Sequence, residues 1–92
     1  MKVRIRTFAT FKDVFGDTNE VEVGEGGTVL DALRSLCRVK DGGSDTLFSG
    51  DGSLLGHVIL ALNGVRIEPA DAGRTLLGEG DTIAAYPPVS GG

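Results

Sequence analysis

Apolar and polar residues alternate over the first seven positions, where Val3, Ile5 and Thr7 are interleaved with Lys2, Arg4 and Arg6. A period of two marks a half-buried strand, here with its basic residues on the wet face. Phe8 and Phe11 carry apolar content into the following connection, and Gly16-Asp17-Thr18-Asn19 has the composition of a turn. Alternation resumes in EVEVG at 20–24, with Val21 and Val23 on one face and Glu20 and Glu22 on the other. The two segments predict an antiparallel pair with a rather long connection.

After Gly26-Gly27 the period changes to that of a helix in TVLDALRSLCRV. Thr28 is suited to be its N-cap, and Asp31, three residues on, stands where a capping-box acid belongs. Val29, Leu33, Leu36, Cys37 and the stem of Lys40 fall on one stripe. Arg34 and Arg38 lie off it, toward the end where the helix dipole favours cations. Asp41-Gly42-Gly43 closes the segment.

Residues 41–56 are rich in Gly, Ser and Asp and read as an extended surface loop, pinned by Leu47, Phe48, Leu54 and Leu55. HVILALNG at 57–64 is apolar on both faces from Val58 to Leu62, as expected of a strand covered by the helix. Asn63-Gly64 is a type I′ hairpin signal, followed by a short strand at Val65–Ile67. In the segment after it, Leu76 and Leu77 are expected to be buried, and Gly78–Asp81 to form a tight turn. TIAAY at 82–86 is the last strand. Two hairpins flanking one helix predict an α+β domain with the helix on one face of a mixed sheet.

A chain of 92 residues holds one small domain. It buries about 60–65% of its unfolded surface, which leaves no room for a second core. The net charge of −4 and the scatter of the nine Lys and Arg residues disfavour DNA or RNA as a partner. There is no membrane-spanning run, and the alternating start is unlike a signal peptide, so a cytoplasmic protein is expected.

Little in the side chains invites catalysis. Cys37 is alone, which excludes an internal disulfide and a thiolate metal cage. It shares the helix stripe with Leu33 and Leu36 and reads as a buried thiol, not a nucleophile. His57 opens an apolar strand with no partner in the pattern. The acidic residues show no diagnostic spacing. Fifteen glycines form neither a Gly-Lys-Ser/Thr phosphate loop nor a Gly-x-Gly-x-x-Gly before a helix. The expectation is no intrinsic catalytic residue, no metal and no bound cofactor.

The ending YPPVSGG is different in kind. Pro87 and Pro88 cannot extend the ladder of the preceding strand, so the chain must leave the sheet, and paired prolines favour a stiff exit. Six residues beyond Tyr86 reach about 20 Å when extended. Gly91 and Gly92 lack Cβ atoms, so a terminal carboxylate could enter a channel only as wide as a backbone. The useful chemistry of a bare carboxylate is activation at the α-phosphate of ATP, followed by capture by sulfur or by an amine.

Together, FATFKDVFG at 8–16, TVLDALRSL at 28–36, LNG at 62–64 and GEGDTIAAYPPVSGG at 78–92 resemble the ubiquitin-like sulfur carriers of the MoaD/ThiS family. Within that family, LFSGDGSLLGHVILALNG is similar to the small archaeal modifier proteins. Residues 41–56 form a longer loop than in a minimal molybdopterin synthase small subunit. The resemblance implies a β-grasp fold over residues 1–86, with sheet order 2-1-5-3-4, strands one and five parallel, and a tail over 87–92. It implies that Gly92 is adenylated by an E1-like enzyme using ATP, with Gly91, Ser90, Val89, Pro88 and Pro87 recognised as the tail. It further implies isopeptide attachment to lysines of target proteins, or a thiocarboxylate loaded from a sulfur donor. The latter would serve tRNA thiolation or a molybdopterin synthase large subunit. Phe8, Tyr86 and Lys12 fall in its partner-facing positions. Lys2, Lys12 and Lys40 are the lysines open to self-conjugation. The competing expectation is a non-covalent interaction domain whose tail is inert.

Overall fold

A computed structural model describes residues 1–40 and 43–87 of the chain. Its elements are β1 (Lys2–Thr7), α1 (Thr10–Phe15), β2 (Thr18–Glu22), α2 (Val29–Val39), α3 (Gly43–Leu47), β3 (Ile59–Leu62), β4 (Val65–Ile67) and β5 (Thr82–Tyr86). The strands form one sheet in the order β2-β1-β5-β3-β4, with β1 and β5 parallel and the other neighbours antiparallel. This is the β-grasp architecture.

The alternation in β1 is realised as expected: Val3, Ile5 and Thr7 are buried while Lys2, Arg4 and Arg6 are exposed. Thr7 is the one buried polar side chain among the described residues, and its hydroxyl donates to the Gly16 carbonyl. On the same face, Val29, Ala32, Leu33 and Leu36 of α2 pack over Leu60, Ile83 and Ala85 of the central strands. Removing apolar surface from water, which stabilises by roughly 25 cal/mol per Å², is what holds helix to sheet. Thr28 and Asp31 form the full capping box, each side chain accepting from the other's backbone N–H.

Several expectations are corrected. The connection after β1 is not plain loop: Phe11 and Phe15 are buried from α1, a short helix hidden in sequence because it spans less than two turns. Thr18 and Asn19 belong to β2 rather than to a turn, since the strand begins at Thr18 and ends at Glu22. The Gly/Ser/Asp-rich segment is not loop throughout either, for α3 occupies Gly43–Leu47 and buries Leu47. Phe48 and Leu54 bridge across the remainder, and with Leu55 they are half-buried against the core. Leu77 is buried, whereas Leu76 is 67% exposed. The two adjoin in extended backbone, where successive side chains point opposite ways, so only one can face the core. Cys37 is half-buried at the margin of the α2 stripe, and Ala32 lies at its centre.

Asn63 and Gly64 have φ of 50° and 86°, the left-handed pair that a type I′ turn requires. Asp81 N donates to Gly78 O at 3.1 Å, closing the turn that leads into β5.

Candidate interaction face and the root of the tail

The helix covers one face of the sheet and leaves the other open. Alternation decides which residues stand there: those interleaved with the buried set of each strand. Cross-strand register then arranges them in rows. Arg66 pairs with Ala61, Ala61 with Ala84, and Ala84 with Arg6. One row over, Tyr86 pairs with Ile59, and on its other side the Phe8 ring stacks on it with centroids 4.4 Å apart and planes 10° from parallel. Below, Arg4 lies between Thr82 and Glu20, and Lys2 faces Glu22.

Phe8 is placed by a local backbone choice. Ala9, next to it, adopts φ 53° and ψ −131°, a region that a residue with a Cβ enters only at a cost of about 1–3 kcal/mol. That turn ends β1 and starts α1, with Lys12 N donating to Ala9 O at 3.0 Å. The Arg6 guanidinium lies 5.1 Å from the Phe8 centroid and 4.0 Å from an Asp17 carboxylate oxygen. Arg6, Phe8 and Tyr86 thus form a layered group on the open face. Tyr86 is the last residue of β5, and the chain passes from it directly to Pro87.

The predicted face residues Phe8 and Tyr86 are therefore brought together. Lys12 is exposed on α1, a few residues from Phe8, and Lys2 is exposed on β1. The Lys2 backbone N–H donates to both Glu79 carboxylate oxygens, at 3.2 and 3.3 Å. Lys40, the C-cap of α2, is half-buried. The positions proposed as recognised tail, Pro88, Val89, Ser90, Gly91 and Gly92, lie outside the described residues, as do Asp41 and Gly42. The residues missed from sequence are Ile59, Ala61, Ala84 and Arg66. Their placement on this face follows from register across three strands, which no single segment reveals.

Elsewhere, burial pushes the Cys37 thiol up to about 11, the direction of an inert thiol. His57 is exposed just ahead of β3. Among the described residues, no group of three or more His, Cys, Asp or Glu side chains is placed to hold a metal ion. None of their helices is long and apolar enough to cross a membrane.

A β-grasp sheet with an open face running to the root of a C-terminal segment defines a ubiquitin-like protein. The ThiS family matches residues 5–92, and the chain belongs to that family. It is 38% identical to small archaeal modifier protein 3 of Haloferax volcanii, over all of both chains. In fold it is similar to the crystal structure of the modifier SAMP1 from Haloferax volcanii, with a TM-score of 0.88, 32% identity and full coverage of both. It is also similar to a chain in the complex of subunits 1 and 2 of the molybdopterin-converting factor from Helicobacter pylori, with a TM-score of 0.63, 29% identity and full coverage of both. The chain is thus a homologue of small archaeal modifiers and of MoaD/ThiS-type sulfur carriers.

Proposed function

We propose that this protein is a carrier whose reactive group is the Gly92 carboxylate, activated by an E1-like adenylating enzyme. The carboxylate attacks the α-phosphate of ATP and pyrophosphate leaves, giving an acyl adenylate. A lysine amine of a target protein then displaces AMP and forms an isopeptide bond, or hydrosulfide released by a sulfur donor displaces AMP and leaves a thiocarboxylate. The chain's own part is to be recognised and to present its end, while the partner binds ATP. The observation that carries this reading is similarity to a protein modifier that extends over the whole of both chains, tail included.

Incubation with ATP and an E1-like enzyme, followed by mass spectrometry of the C-terminal peptide, tests it. The adenylate, or the oxygen-to-sulfur exchange when a sulfur donor is present, is expected on Gly92. An unmodified peptide under conditions that activate a known homologue would overturn the proposal. A second reading, the dedicated small subunit of a molybdopterin synthase, is favoured by the similarity to the Helicobacter pylori complex. It differs in expecting no lysine conjugates in cells and loss of molybdenum cofactor when Gly91 and Gly92 are removed.

A further inference from the structure

The helix side of the molecule, opposite the open face, is concave along one flank of α2. Leu30, Arg34, Cys37 and Arg38 stand at i, i+4, i+7 and i+8, which sets them along that flank. The segment after α3 folds back against it. A cleft of about 460 Å³ lies between Arg34, Cys37 and Arg38 on the helix and Phe48 and Gly52 on the segment. A second cleft of about 480 Å³ adjoins the first, shares Arg34 and Gly52 with it, and is walled by Leu30, Leu54 and Pro69. Each is of a size ordinary for a bound group, and end to end they make a groove.

The wall facing the helix is set by its own hydrogen bonds. Ser49 N donates to Ser53 O at 2.8 Å, Gly52 N to Ser49 O at 2.9 Å, and Ser53 N to Asp51 Oδ1 at 3.0 Å. Gly52 holds φ 86°, and its carbonyl accepts from Arg34 Nη2 at 3.4 Å. The same guanidinium lies 5.9 Å from the Phe48 centroid, so Arg34 is held across the junction of the two clefts. Arg38, one turn on, donates from Nη2 to Ser35 Oγ at 3.1 Å. In these contacts each guanidinium uses one of its five N–H donors. Among the described residues neither arginine forms an ion pair.

The acids nearby set what charge the groove accepts. Asp45 lines the first cleft, and Asp51 lines the second with its carboxylate bonded into its own loop by Ser49 Oγ and Ser53 N. On the adjoining flank of α2, Arg38 and Ser35 also border a cleft that holds Glu22, Glu25 and Asp31, the last of these engaged in the helix cap. Two cations among these carboxylates do not gather a polyanion. They suit one carboxylate that reaches both guanidinium forks.

We propose that this groove binds an extended segment of a partner protein, with one acidic side chain in the first cleft against Arg34 and Arg38 and an apolar side chain in the second. Side chains two residues apart share one face of an extended segment, which suits adjoining clefts. The carboxylate fixes register through the arginines, while the half-buried Leu30, Leu54 and Pro69 supply an apolar seat for its neighbour. Arg34 is already braced by Phe48 and Gly52, which lowers the ordering cost of the contact. The inference goes beyond the function proposed above: the groove contains no residue of the tail or of the open face, so a partner there reads the carrier whatever the state of Gly92.

The test is an NMR titration of the isotope-labelled full chain with the peptide acetyl-Leu-Thr-Glu-Thr-Leu-amide, and with the same peptide carrying Gln in place of Glu. Saturable shifts are expected at the amides of Arg34, Arg38, Phe48 and Gly52, with a Kd below about 1 mM for the Glu peptide. The Gln peptide should bind about tenfold more weakly, and added salt should weaken the Glu peptide alone. Arg34→Glu is expected to weaken the Glu peptide by about tenfold or more, and Arg34→Lys by less. A Cβ at Gly73 would meet only the Leu30 side chain, at 3.5 Å, so Gly73→Leu should fill the second cleft and weaken both peptides by about tenfold with Arg34 intact. Thermal unfolding of each variant separates a lost site from a lost fold, and Gly73→Leu decides the matter if Arg34→Glu does not fold. Deletion of Gly91 and Gly92 should leave the affinity unchanged. No saturable shift, equal binding of the two peptides, or unchanged binding by folded Arg34→Glu and Gly73→Leu would overturn the proposal. So would shifts of the same amides by inorganic phosphate or free glutamate at lower concentration than the peptide, which would make the groove a small-anion site.

Discussion

Asn63 and Asp81 are joined side chain to side chain, Asn63 Nδ2 donating to Asp81 Oδ1 at 3.0 Å across eighteen residues of sequence. The contact does more than its size implies. Asn63 Oδ1 also accepts from Thr82 N at 3.0 Å, and Asp81 Oδ2 accepts from Gly78 N at 2.7 Å. The β3–β4 turn and the entry to β5 are thereby locked together, which fixes where β5 begins and so which residues reach the open face.

These bonds to the ionised carboxylate hold Asp81 below its ordinary value of 3.8, the Asn63 side chain being the larger cause and the Gly78 N–H the next. A carboxyl lowered in the folded state stabilises fully above its unfolded value and loses that contribution as pH falls through the folded one. Acid unfolding should therefore steepen below about pH 4. Asp81→Asn is expected to flatten that limb and to lower stability at pH 7 by about 1 kcal/mol. Urea unfolding from pH 2 to pH 7 checks both outcomes. Parallel curves for the two proteins would show that the lock contributes no pH dependence.

Much of the scaffold was legible because it rests on local rules. The two-residue period of β1, the capping box of Thr28 and Asp31, the Asn63-Gly64 turn and the bounds of β5 are each written in a few adjacent residues. Helices α1 and α3 were not, since six and five residues give too few turns for a stripe to show, and tertiary burial of Phe11, Phe15 and Leu47 decides them. Leu76 was misplaced because composition says an apolar pair is buried while extended geometry allows one of the two. On the open face, family position pointed to Phe8 and Tyr86, and the structure stacks their rings together. Ala61, Ala84 and Arg66 depended on strand register, which is a property of three segments at once.

Gly27 occupies a place without space for a side chain. A Cβ there would lie 2.1 Å from Val23 Cγ1 and 2.8 Å from the Gly24 carbonyl oxygen. The residue precedes the N-cap of α2, and its own carbonyl accepts from Leu77 N at 3.0 Å, so the backbone cannot move aside without breaking that tie. Gly27→Ala is expected to destabilise by about 2–3 kcal/mol through overpacking. The urea midpoint should fall with little change in the denaturant slope. A midpoint equal to the parent's would show that the Gly24 turn relaxes freely.

Cys37 offers a chemical check on burial. Its thiol is raised from 9.0 to about 11 by desolvation. Thiolate at pH 8, and with it the alkylation rate, should be about 100-fold below that of an ordinary thiol. The sign for stability is the reverse of Asp81: the contribution is full below 9.0 and is lost as pH rises toward about 11. Cys37→Ala should remove the part of alkaline destabilisation that the thiol supplies. Iodoacetamide labelling of native and urea-unfolded protein measures the rate difference, and equal rates would place the thiol in open solvent.

Ala9 holds a backbone conformation suited to glycine, with φ 53°. Replacing it with glycine should relieve strain and stabilise the fold by about 1 kcal/mol, somewhat offset by the greater freedom of glycine in the unfolded chain. Differential scanning calorimetry reads the expected rise in Tm. A fall in Tm would mean that the strain is small and that the unfolded-state entropy decides the sign.

Phe8 separates a role in the fold from a role at the open face. Its ring is half-buried, stacked on Tyr86 at 4.4 Å and lying under Arg6 at 5.1 Å. Because Tyr86 is itself 37% exposed, the stack lies outside the sealed core, and Phe8→Ala should cost stability only about 1–2 kcal/mol. Loss of the ring also frees the last residue before Pro87 and removes part of the apolar row of the open face. Adenylation should accordingly show a KM raised by about tenfold or more, a larger effect than the stability change explains for a protein still folded. Phe8→Tyr, which keeps a ring over Tyr86, should restore most of it. Measured under native conditions at several concentrations, an unchanged KM for Phe8→Ala would mean that the stack braces the sheet alone and that partners dock elsewhere.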